Sequence, residues 1–156
     1  MRKLTLRGEQ PGGTVGRFIY YKSDYKHQLD RPYETVIELR PPREIETPFV
    51  SLGCDGSLRI AKGYAWDGPS GPVADTKETM RASLVHDALY QLMRLRKLDR
   101  DRWRKTADRI FRDMCKEDGV SSFRAKVYYK GLREFGKKAA SPSKKKRVYR
   151  APKATR

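Results

Sequence analysis

The sequence of 156 residues contains no long hydrophobic run. A membrane-spanning helix needs about 18 consecutive apolar residues, and no stretch of that length is present. The N-terminal segment MRKLTLRGEQPGG also lacks the apolar region and the small-residue cleavage site of a secretory signal. We therefore expect a soluble protein that is not secreted by a signal peptide.

Cysteine and histidine are scarce. The two cysteines, Cys54 and Cys115, are too few for a disulfide framework, and neither belongs to a Cys-x-x-Cys pair. We expect both thiols to be reduced and buried. Two histidines cannot build a three-histidine zinc site, so a metal site would need several carboxylates and would favour Mg²⁺ or Mn²⁺ over Zn²⁺.

Positive charge, in contrast, is abundant. The formal net charge is +17, and nine cations lie in residues 137–156, which contain no acid, so that +8 remains on residues 1–136. This tail has no apolar periodicity and is predicted to be disordered when free. A cationic tail attracts RNA, DNA or an anionic membrane surface, and a purely solubilising role is also open. The residues that we single out for polyanion binding are Lys137, Lys138, Lys144, Lys145, Lys146, Arg147 and Arg150.

The first half is rich in β-branched and aromatic residues, which predicts strands. Residues 24–32 end at a proline and are predicted to be a loop. The segment GCDGS contains two glycines and is predicted to close a hairpin. The predicted strands are FIYYKS from Phe18, YETVIELR from Tyr33, TPFVSL at 47–52 and SLRIAKGYAW at 57–66, after an irregular arm at 1–16.

The second half predicts three helices. The first follows the turn Asp67–Pro72, starts at Asp75 or Thr76, and carries a leucine-rich stripe that faces the core. The second starts near Asp99 and stops at Gly119. The third is predicted to begin at Ser121-Ser122 and to end at Gly136, and its Phe123, Val127, Leu132 and Phe135 partly repeat the apolar spacing of a helix.

The order of these elements, strands first and helices last, is typical of an α+β fold. We expect one domain at residues 17–136, in which a small antiparallel β-sheet packs against two to three α-helices. It would follow the N-terminal arm (1–16) and precede the basic tail (137–156).

The first predicted helix carries the best candidates for chemistry. His86, Asp87 and Tyr90 crowd one edge of its apolar stripe, because residues three or four apart share a helix face. Asp67 of the turn and Asp108 of the second helix could join them. A His-Asp pair can bind a divalent metal or activate water. We therefore assign His86, Asp87, Asp67 and Tyr90 as candidate catalytic residues, and His86, Asp87 and Asp108 as candidate metal ligands.

Other interpretations of these residues stay open. A His-Asp pair beside a core can be a structural anchor that hydrogen-bonds the Asp67–Gly71 turn, with Tyr90 closing the network. The order His27, His86-Asp87, Asp108 is also similar in outline to the HD phosphohydrolase superfamily, although that superfamily is all-helical and His27 lies in a predicted loop. The basic residues of the second and third helices are predicted to form mostly a solvated face, with a nucleic-acid surface as the alternative.

This chain resembles the DUF1353 family, small proteins found mostly in bacteriophages and prophages, in four runs: GYAWDGPSGP, ASLVHDALYQL, ADRIFRDMCKEDGV and VYYKGLREFG. The resemblance covers about residues 15 to 136 and leaves out the basic tail. It implies a phage setting rather than a reaction, because the family has no settled activity. The residues that carry it are Asp67, His86, Asp87, Leu89, Tyr90, Ala107, Asp108 and Phe111.

We therefore expect a phage accessory or virion-associated protein, present in the host cytoplasm during infection or in the virion. Its His-Asp site is either a structural network or a metal-assisted hydrolytic site, and cell-wall peptide or glycan is the first substrate to test. The alternative function is non-enzymatic, namely nucleic-acid binding or virion assembly through the basic tail. The expected partners are other virion proteins or a nucleic acid.

Overall fold

The computed structural model describes residues 21–24, 26–69 and 73–144. Within them the chain forms seven strands followed by three helices, which confirms the predicted α+β fold. None of these helices is long and apolar enough to cross a membrane. The strands are β1 (Tyr21–Asp24), β2 (Lys26–Leu29), β3 (Tyr33–Val36), β4 (Ile45–Glu46), β5 (Val50–Leu52), β6 (Ser57–Ile60) and β7 (Ala65–Trp66), and the helices are α1 (Lys77–Arg94), α2 (Arg100–Glu117) and α3 (Ser122–Phe135), followed by a short 3-10 turn at Pro142–Lys144.

The strands form two antiparallel sheets rather than one. One sheet has the order β1-β2-β7 and the other the order β3-β6-β5-β4. The predicted strand at 57–66 is split, because the chain turns at Gly63 with a φ of 91°, and its second half pairs with β2. The predicted loop at 24–32 is also wrong. Residues 26–29 pair with β1 on one side and with β7 on the other, which makes β2 the central strand of its sheet.

Helix α1 is the central element of the core. Thirteen of its 18 residues are buried. A helix that buries only one apolar stripe leaves its opposite face exposed, so α1 is covered on more than one side. The indole N–H of Trp66 in β7 donates to Ser83 Oγ of α1 at 3.0 Å, and α2 packs along another side of α1. The helix therefore lies between the strands and the other helices.

The helix starts follow local sequence signals. Helix α1 begins directly after Thr76, one of the two predicted caps. The Asp99 carboxylate accepts a hydrogen bond from the backbone N–H of Arg102 at 2.9 Å, and Ser121 Oγ accepts one from the N–H of Arg124 at 3.3 Å. These bonds satisfy N–H groups that have no partner within the helix. The predicted starts of all three helices are confirmed.

Helix α3 turns inward a face that its partial apolar repeat does not mark. Phe123, Val127 and Phe135 of that repeat are 77%, 44% and 74% exposed. The buried residues of α3 are Ala125 and Tyr128. At these three positions the apolar spacing therefore does not indicate the core face of α3.

The first part of the predicted tail belongs to the fold. Ala140 is fully buried, and Arg94 Nη1 of α1 donates to the backbone oxygen of Ala139 at 3.0 Å. The predicted disorder is therefore wrong for residues 137–144, which include Lys137, Lys138 and Lys144. Outside the described residues lie Lys145, Lys146, Arg147 and Arg150, the N-terminal arm, Phe18 and the turn residues 70–72.

The two cysteines differ in their environments. Cys54 is exposed in the turn between β5 and β6, so its expected burial is wrong, whereas Cys115 of α2 is buried. Both are free thiols. Burial, with a smaller effect from the charge of Asp118, raises the pKa of the Cys115 thiol to about 12.

Candidate functional site

A buried carboxylate on α2, that of Asp108, gathers side chains from all three helices. Its Oδ1 lies 2.8 Å from His86 Nε2 and accepts a hydrogen bond from the Tyr90 hydroxyl at 2.6 Å. Its Oδ2 accepts a hydrogen bond from Arg133 Nη1 at 2.8 Å and lies 3.6 Å from Arg104 Nη1. Asp108 is fully buried, and His86 and Tyr90 are buried as well. We call these five residues the Asp108 centre.

Helical spacing assembles the Asp108 centre. His86 and Tyr90 are four residues apart on α1, and Arg104 and Asp108 are four apart on α2, so each pair shares a helix face. The centroid of the His86 ring lies 4.0 Å from that of Tyr90 and 5.4 Å from that of Phe111, which meets it edge-on. These ring contacts fix the orientation of the imidazole.

The end of α3 is bound to the centre through its backbone as well. Arg104 donates to the backbone oxygens of Leu132 and Arg133 at 3.1 and 3.3 Å. The Leu132 carbonyl also accepts a hydrogen bond from the Gly136 N–H at 2.8 Å, so Arg104 adds a second donor there. Carbonyls after Leu132 lie beyond the reach of the helical ladder, so Arg104 caps α3 at Arg133. The chain then passes close to Tyr90 at Gly136, where an added Cβ atom would lie 2.7 Å from the Tyr90 hydroxyl oxygen. Glycine is therefore required there for steric reasons.

Burial and hydrogen bonding set the protonation states in the centre. Burial alone would raise the pKa of Asp108, but the hydrogen bond and charge of His86, with the hydrogen bonds from Tyr90 and Arg133, outweigh it and lower that pKa. Burial and the negative charge of Asp108 raise the pKa of the Tyr90 hydroxyl. At neutral pH Asp108 is therefore an ionised acceptor and Tyr90 a protonated donor.

Two of the predicted catalytic residues lie elsewhere. Asp67 is exposed and Asp87 is half-buried, and neither belongs to the Asp108 centre. Both lie near the buried Tyr64, whose pKa is raised first by burial and then by the charges of Asp87 and Asp67. Asp87 follows His86 in sequence but lies on a different side of α1, because successive helical residues are rotated by about 100°. The predicted catalytic residues are therefore divided between the Asp108 centre and the surroundings of Tyr64.

The predicted metal ligands do not form a metal site. Among the residues that the structure describes, no group of three or more His, Cys, Asp or Glu side chains is arranged to hold a metal ion. His86 and Asp108 meet, but both oxygens of Asp108 are engaged within the centre, and Asp87 lies toward Tyr64.

His27 is also separate from the Asp108 centre. It lies on β2, with Nε2 3.4 Å from Asp75 Oδ2 and its ring centroid 5.4 Å from that of Trp66. Gly68 has a φ of 76°, and a Cβ atom on it would lie 3.0 Å from the His27 ring. The turn after β7 thus packs on His27, and the HD-type order of residues is not assembled.

Sequence reasoning missed three arginines. Arg104 and Arg133, interpreted as part of a solvated face, bind Asp108. Arg81 of α1 is buried and donates to the two carboxylate oxygens of Asp118 at 2.8 and 3.0 Å. The four-residue spacing of Arg104 and Asp108 is a usable signal. No sequence signal indicates Arg81 or Arg133, because their acidic partners lie on or next to a different helix.

An open groove of about 940 Å³ lies beside the connection between α1 and α2. It is lined by residues 41–46 and 96–103, by Met93 and by Pro142. The guanidinium of Arg102 lies 4.8 Å over the ring of the half-buried Trp103. We call this site the corner groove. Its five cations are Arg43, Arg96, Lys97, Arg100 and Arg102.

The fold and the Asp108 centre define a class of small α+β protein in which one buried carboxylate joins three helices. Residues 49–132, more than half of the chain, match the model of a family described as "Protein of unknown function (DUF1353)". The chain therefore belongs to the DUF1353 family. No curated protein and no solved structure matches it.

The family match is shorter than the resemblance seen in the sequence, which covered about residues 15 to 136. It begins directly before β5 and ends within α3. It therefore contains four members of the Asp108 centre and stops one residue before Arg133. The hairpin of β1 and β2 and the basic tail lie outside it.

Proposed function

We propose that this DUF1353 protein is a non-enzymatic nucleic-acid-binding protein, with the ligand seated in the corner groove and held by the basic tail. The position of the groove carries the proposal. Pro142 lines the groove, and the six cations of residues 145–156 follow it in the sequence by 3 to 14 residues. A strand in the groove would therefore be within reach of the tail, and each phosphate contact would add affinity by releasing a counterion.

The charges of the groove support a polyanionic ligand. Its five cations face four acids, but three of these acids already have a partner within the protein. Asp99 caps α2, Asp101 lies 3.3 Å from Arg100, and Glu46 accepts a hydrogen bond from the Ser51 hydroxyl at 2.6 Å. Arg96 and Lys97 are exposed and have no ion pair among the described residues. The overall charge of +17 adds long-range attraction for an anionic polymer.

Trp103 supports a single-stranded ligand. Aromatic side chains in cationic grooves bind single strands by stacking on the bases, at about 1 to 3 kcal/mol per base. Trp103 is half-buried and lines the groove, whereas Trp66 is fully buried beneath the sheet. A nucleic acid in the groove can therefore reach only one of the two indoles.

Intrinsic fluorescence tests where the ligand lies. A single-stranded oligonucleotide should quench the Trp103 emission in proportion to the bound fraction measured by anisotropy. The Trp103→Phe variant should lose this quenching, while the emission of Trp66 stays unchanged. Binding without quenching in the unmodified protein would contradict a ligand in the groove.

Charge variants test the groove and the tail separately. Arg96→Gln with Lys97→Gln should lower the slope of log K against log salt by about 1.4, and ending the chain at Lys144 should lower it by up to about four, since single strands release about 0.7 ion per contact. Lys62→Gln with Lys77→Gln removes the same charge from exposed positions outside the groove and is the matched control. Equal effects of the two double variants would contradict groove binding.

The pairing of His86 with Asp108 favours a second candidate function, a hydrolytic site. Asp108 orients the imidazole through Nε2, and Nδ1 has no hydrogen-bond partner among the described residues, so it is available to accept a proton from water.

The resemblance to phage proteins supports a phage accessory or virion setting, with cell-wall peptide or glycan as the first substrate. His86→Gln should abolish clearing of cell-wall material, while His27→Gln should retain it; no clearing by the unmodified protein would contradict this candidate.

A further inference from the structure

Helix α3 presents an apolar row to the outside of the molecule. Phe123 and Phe135 are among the most exposed large apolar residues of the described chain, and Val127 is exposed as well. With Gly131 they follow one another at steps of four, so they form a single row along the helix. Helix α3 packs on α2 through its other side. An exposed contiguous apolar row on a small domain is typical of an interaction surface.

The order of sizes along the row fits a crossing of two helices. Helices that pack their four-residue rows against each other cross at about 50°, so they are closest at the crossing point and separate toward their ends. The middle of this row holds the small side chain of Val127 and the bare backbone of Gly131, and its ends hold the two phenylalanines. Small residues permit the close approach, and large residues can reach across the wider gap.

The row is also complementary to itself in the reverse direction. When two α3 helices cross antiparallel about their midpoints, Phe123 faces Phe135 of the second copy, and Val127 faces Gly131 of the second copy. The two phenylalanines then contact each other, and the side chain of Val127 fits the space that Gly131 leaves. A twofold axis generates every contact twice, which is the geometry of most homodimers.

A charge pair falls in the same register. Arg124 and Glu134 are both exposed and lie symmetrically about the helix midpoint, so Arg124 of each copy faces Glu134 of the other. Arg124 Nη2 donates to the Tyr128 hydroxyl at 2.7 Å, which holds the guanidinium along α3. Glu134 is the only acid among residues 122–138, which contain six cations. An acid beside the row disfavours an anionic membrane, and Glu134 has no ion-pair partner among the described residues of its own copy.

We infer that this face of α3 is a homodimer interface, in which two copies of the chain cross their α3 helices antiparallel. The surface is separate from the corner groove and from the Asp108 centre. A single helix crossing is small for a protein interface, so the association is weak and reversible, with a dissociation constant in the micromolar range.

Sedimentation velocity over the micromolar range tests the interface. The unmodified chain should pass from monomer to dimer, and Phe135→Glu should raise the dissociation constant at least about tenfold, because it places a charge in the packed row. Phe49→Glu is the matched control, since Phe49 is 45% exposed and lies outside α3. A monomer at every concentration, or equal effects of the two variants, would overturn the inference. Circular dichroism confirms that both variants remain folded.

A charge reversal tests the register. Arg124→Glu alone and Glu134→Arg alone each place like charges opposite one another, so both should weaken the dimer. The double variant restores opposite charges and should recover most of the affinity. A double variant as weak as either single one would overturn the antiparallel register.

Crosslinking tests the direction of the helices independently. In a Cys54→Ser background, a mixture of the Phe123→Cys and Phe135→Cys variants should give mainly the mixed product with a short bismaleimide, because unlike positions face each other. Cys115 stays inert because it is buried and its thiol has a pKa of about 12. Mainly like-with-like products would indicate a parallel pair.

Binding of the row to anionic vesicles, without any dimer, would assign the surface to a membrane and overturn the inference.

Discussion

At the scale of single residues, Asp108 holds a charge in the interior that its neighbours balance. A buried carboxylate is costly unless it is paired and fully hydrogen-bonded. Here His86 and Tyr90 serve one oxygen, and Arg133, with Arg104 close by, serves the other. Removal of the Asp108 carboxylate would leave the guanidinium groups of Arg104 and Arg133 close together without a counter-charge. The loss of stability on removing Asp108 is therefore larger than the net stabilisation that the intact cluster provides.

We expect Asp108→Asn to lower the free energy of unfolding by about 3 kcal/mol, as for other buried ion pairs that lose one member. Urea denaturation followed by circular dichroism measures the change. Asp113→Asn on the same helix is the control, because Asp113 pairs with Arg112 at a partly exposed site, where the expected cost is about 0.5 kcal/mol. A cost at Asp108 no larger than at Asp113 would contradict the role of the centre.

The stability of the protein should also depend on acid through Asp108. The folded pKa of this residue is lowered, so its contribution is fully present above the unfolded pKa of about 3.9 and is lost as the pH falls through the folded pKa. The unmodified protein should therefore lose stability from about pH 4 downward. Asp108→Asn, although weaker at pH 7, should lose less over that window. If the urea midpoint of the unmodified protein and that of Asp108→Asn fell equally with pH, this expectation would be contradicted.

Gly136 lies where the Asp108 centre leaves no room for a side chain. An added Cβ atom would lie 2.5 Å from the Leu132 carbonyl oxygen and 2.7 Å from the Tyr90 hydroxyl oxygen. We expect Gly136→Ala to cost about 1 to 3 kcal/mol by overpacking, measured as a shift in the urea midpoint. In a Tyr90→Phe background the same change should cost less, since one of the two contacts is gone. An unchanged cost would place the strain outside the centre.

At the scale of elements, local signals predicted the helices well and the sheets less well. The caps Asp99 and Ser121 lie next to the residues that they serve, so the sequence contains the whole signal. The pairing of β7 with β2 joins residues about forty positions apart, and no local pattern encodes it. The inward face of α3 depends on Arg133 reaching Asp108, which is a long-range contact as well.

The residues of the Asp108 centre differ in the same way, since some are grouped by local spacing and others only by the tertiary fold. His86 and Tyr90 could be grouped by their spacing, and Asp108 could be added because it flanks the stripe of the second helix. The grouping failed for Asp67 and Asp87, since adjacency to His86 in sequence does not put Asp87 on the same side of α1. Arg133 was missed because an arginine on a charged helix gives no signal of its buried partner.

The ion cluster of Arg81 joins α1 to the end of α2. Its guanidinium also donates to Glu117 at 2.7 Å, while Asp118 is largely buried. Arg81→Met should cost about 3 kcal/mol, and Arg81→Met with Asp118→Asn should cost less than the sum of the single changes. Strict additivity would contradict the coupling.

The control for Arg81 is Arg109. Arg109 pairs with Glu38 at 2.8 Å, but both side chains are more than two-fifths exposed. Solvent screens such a pair, so Arg109→Met should cost no more than about 1 kcal/mol in the same urea measurement.

At the scale of the whole molecule, residues 137–144 extend the domain beyond its predicted end. They bury Ala140 and place the backbone of Ala139 on Arg94 of α1. Ending the chain at Gly136 should therefore cost about 1 to 3 kcal/mol more than ending it at Lys144, as judged by thermal unfolding of both truncated proteins. Equal stability of the two proteins would show that this segment adds nothing to the domain.

The Asp108 centre also bears on the order in which the protein folds. The hydrogen bonds of its side chains join residues at most 29 positions apart, whereas Arg81 and Tyr33, which link the helices to β3, are 48 apart. Short loops close at less entropic cost than long ones. During refolding, the amides of the helical half should thus become protected from hydrogen exchange before those of the two sheets, with the carboxylate of Asp108 acting as the nucleus around which the rest of the chain condenses.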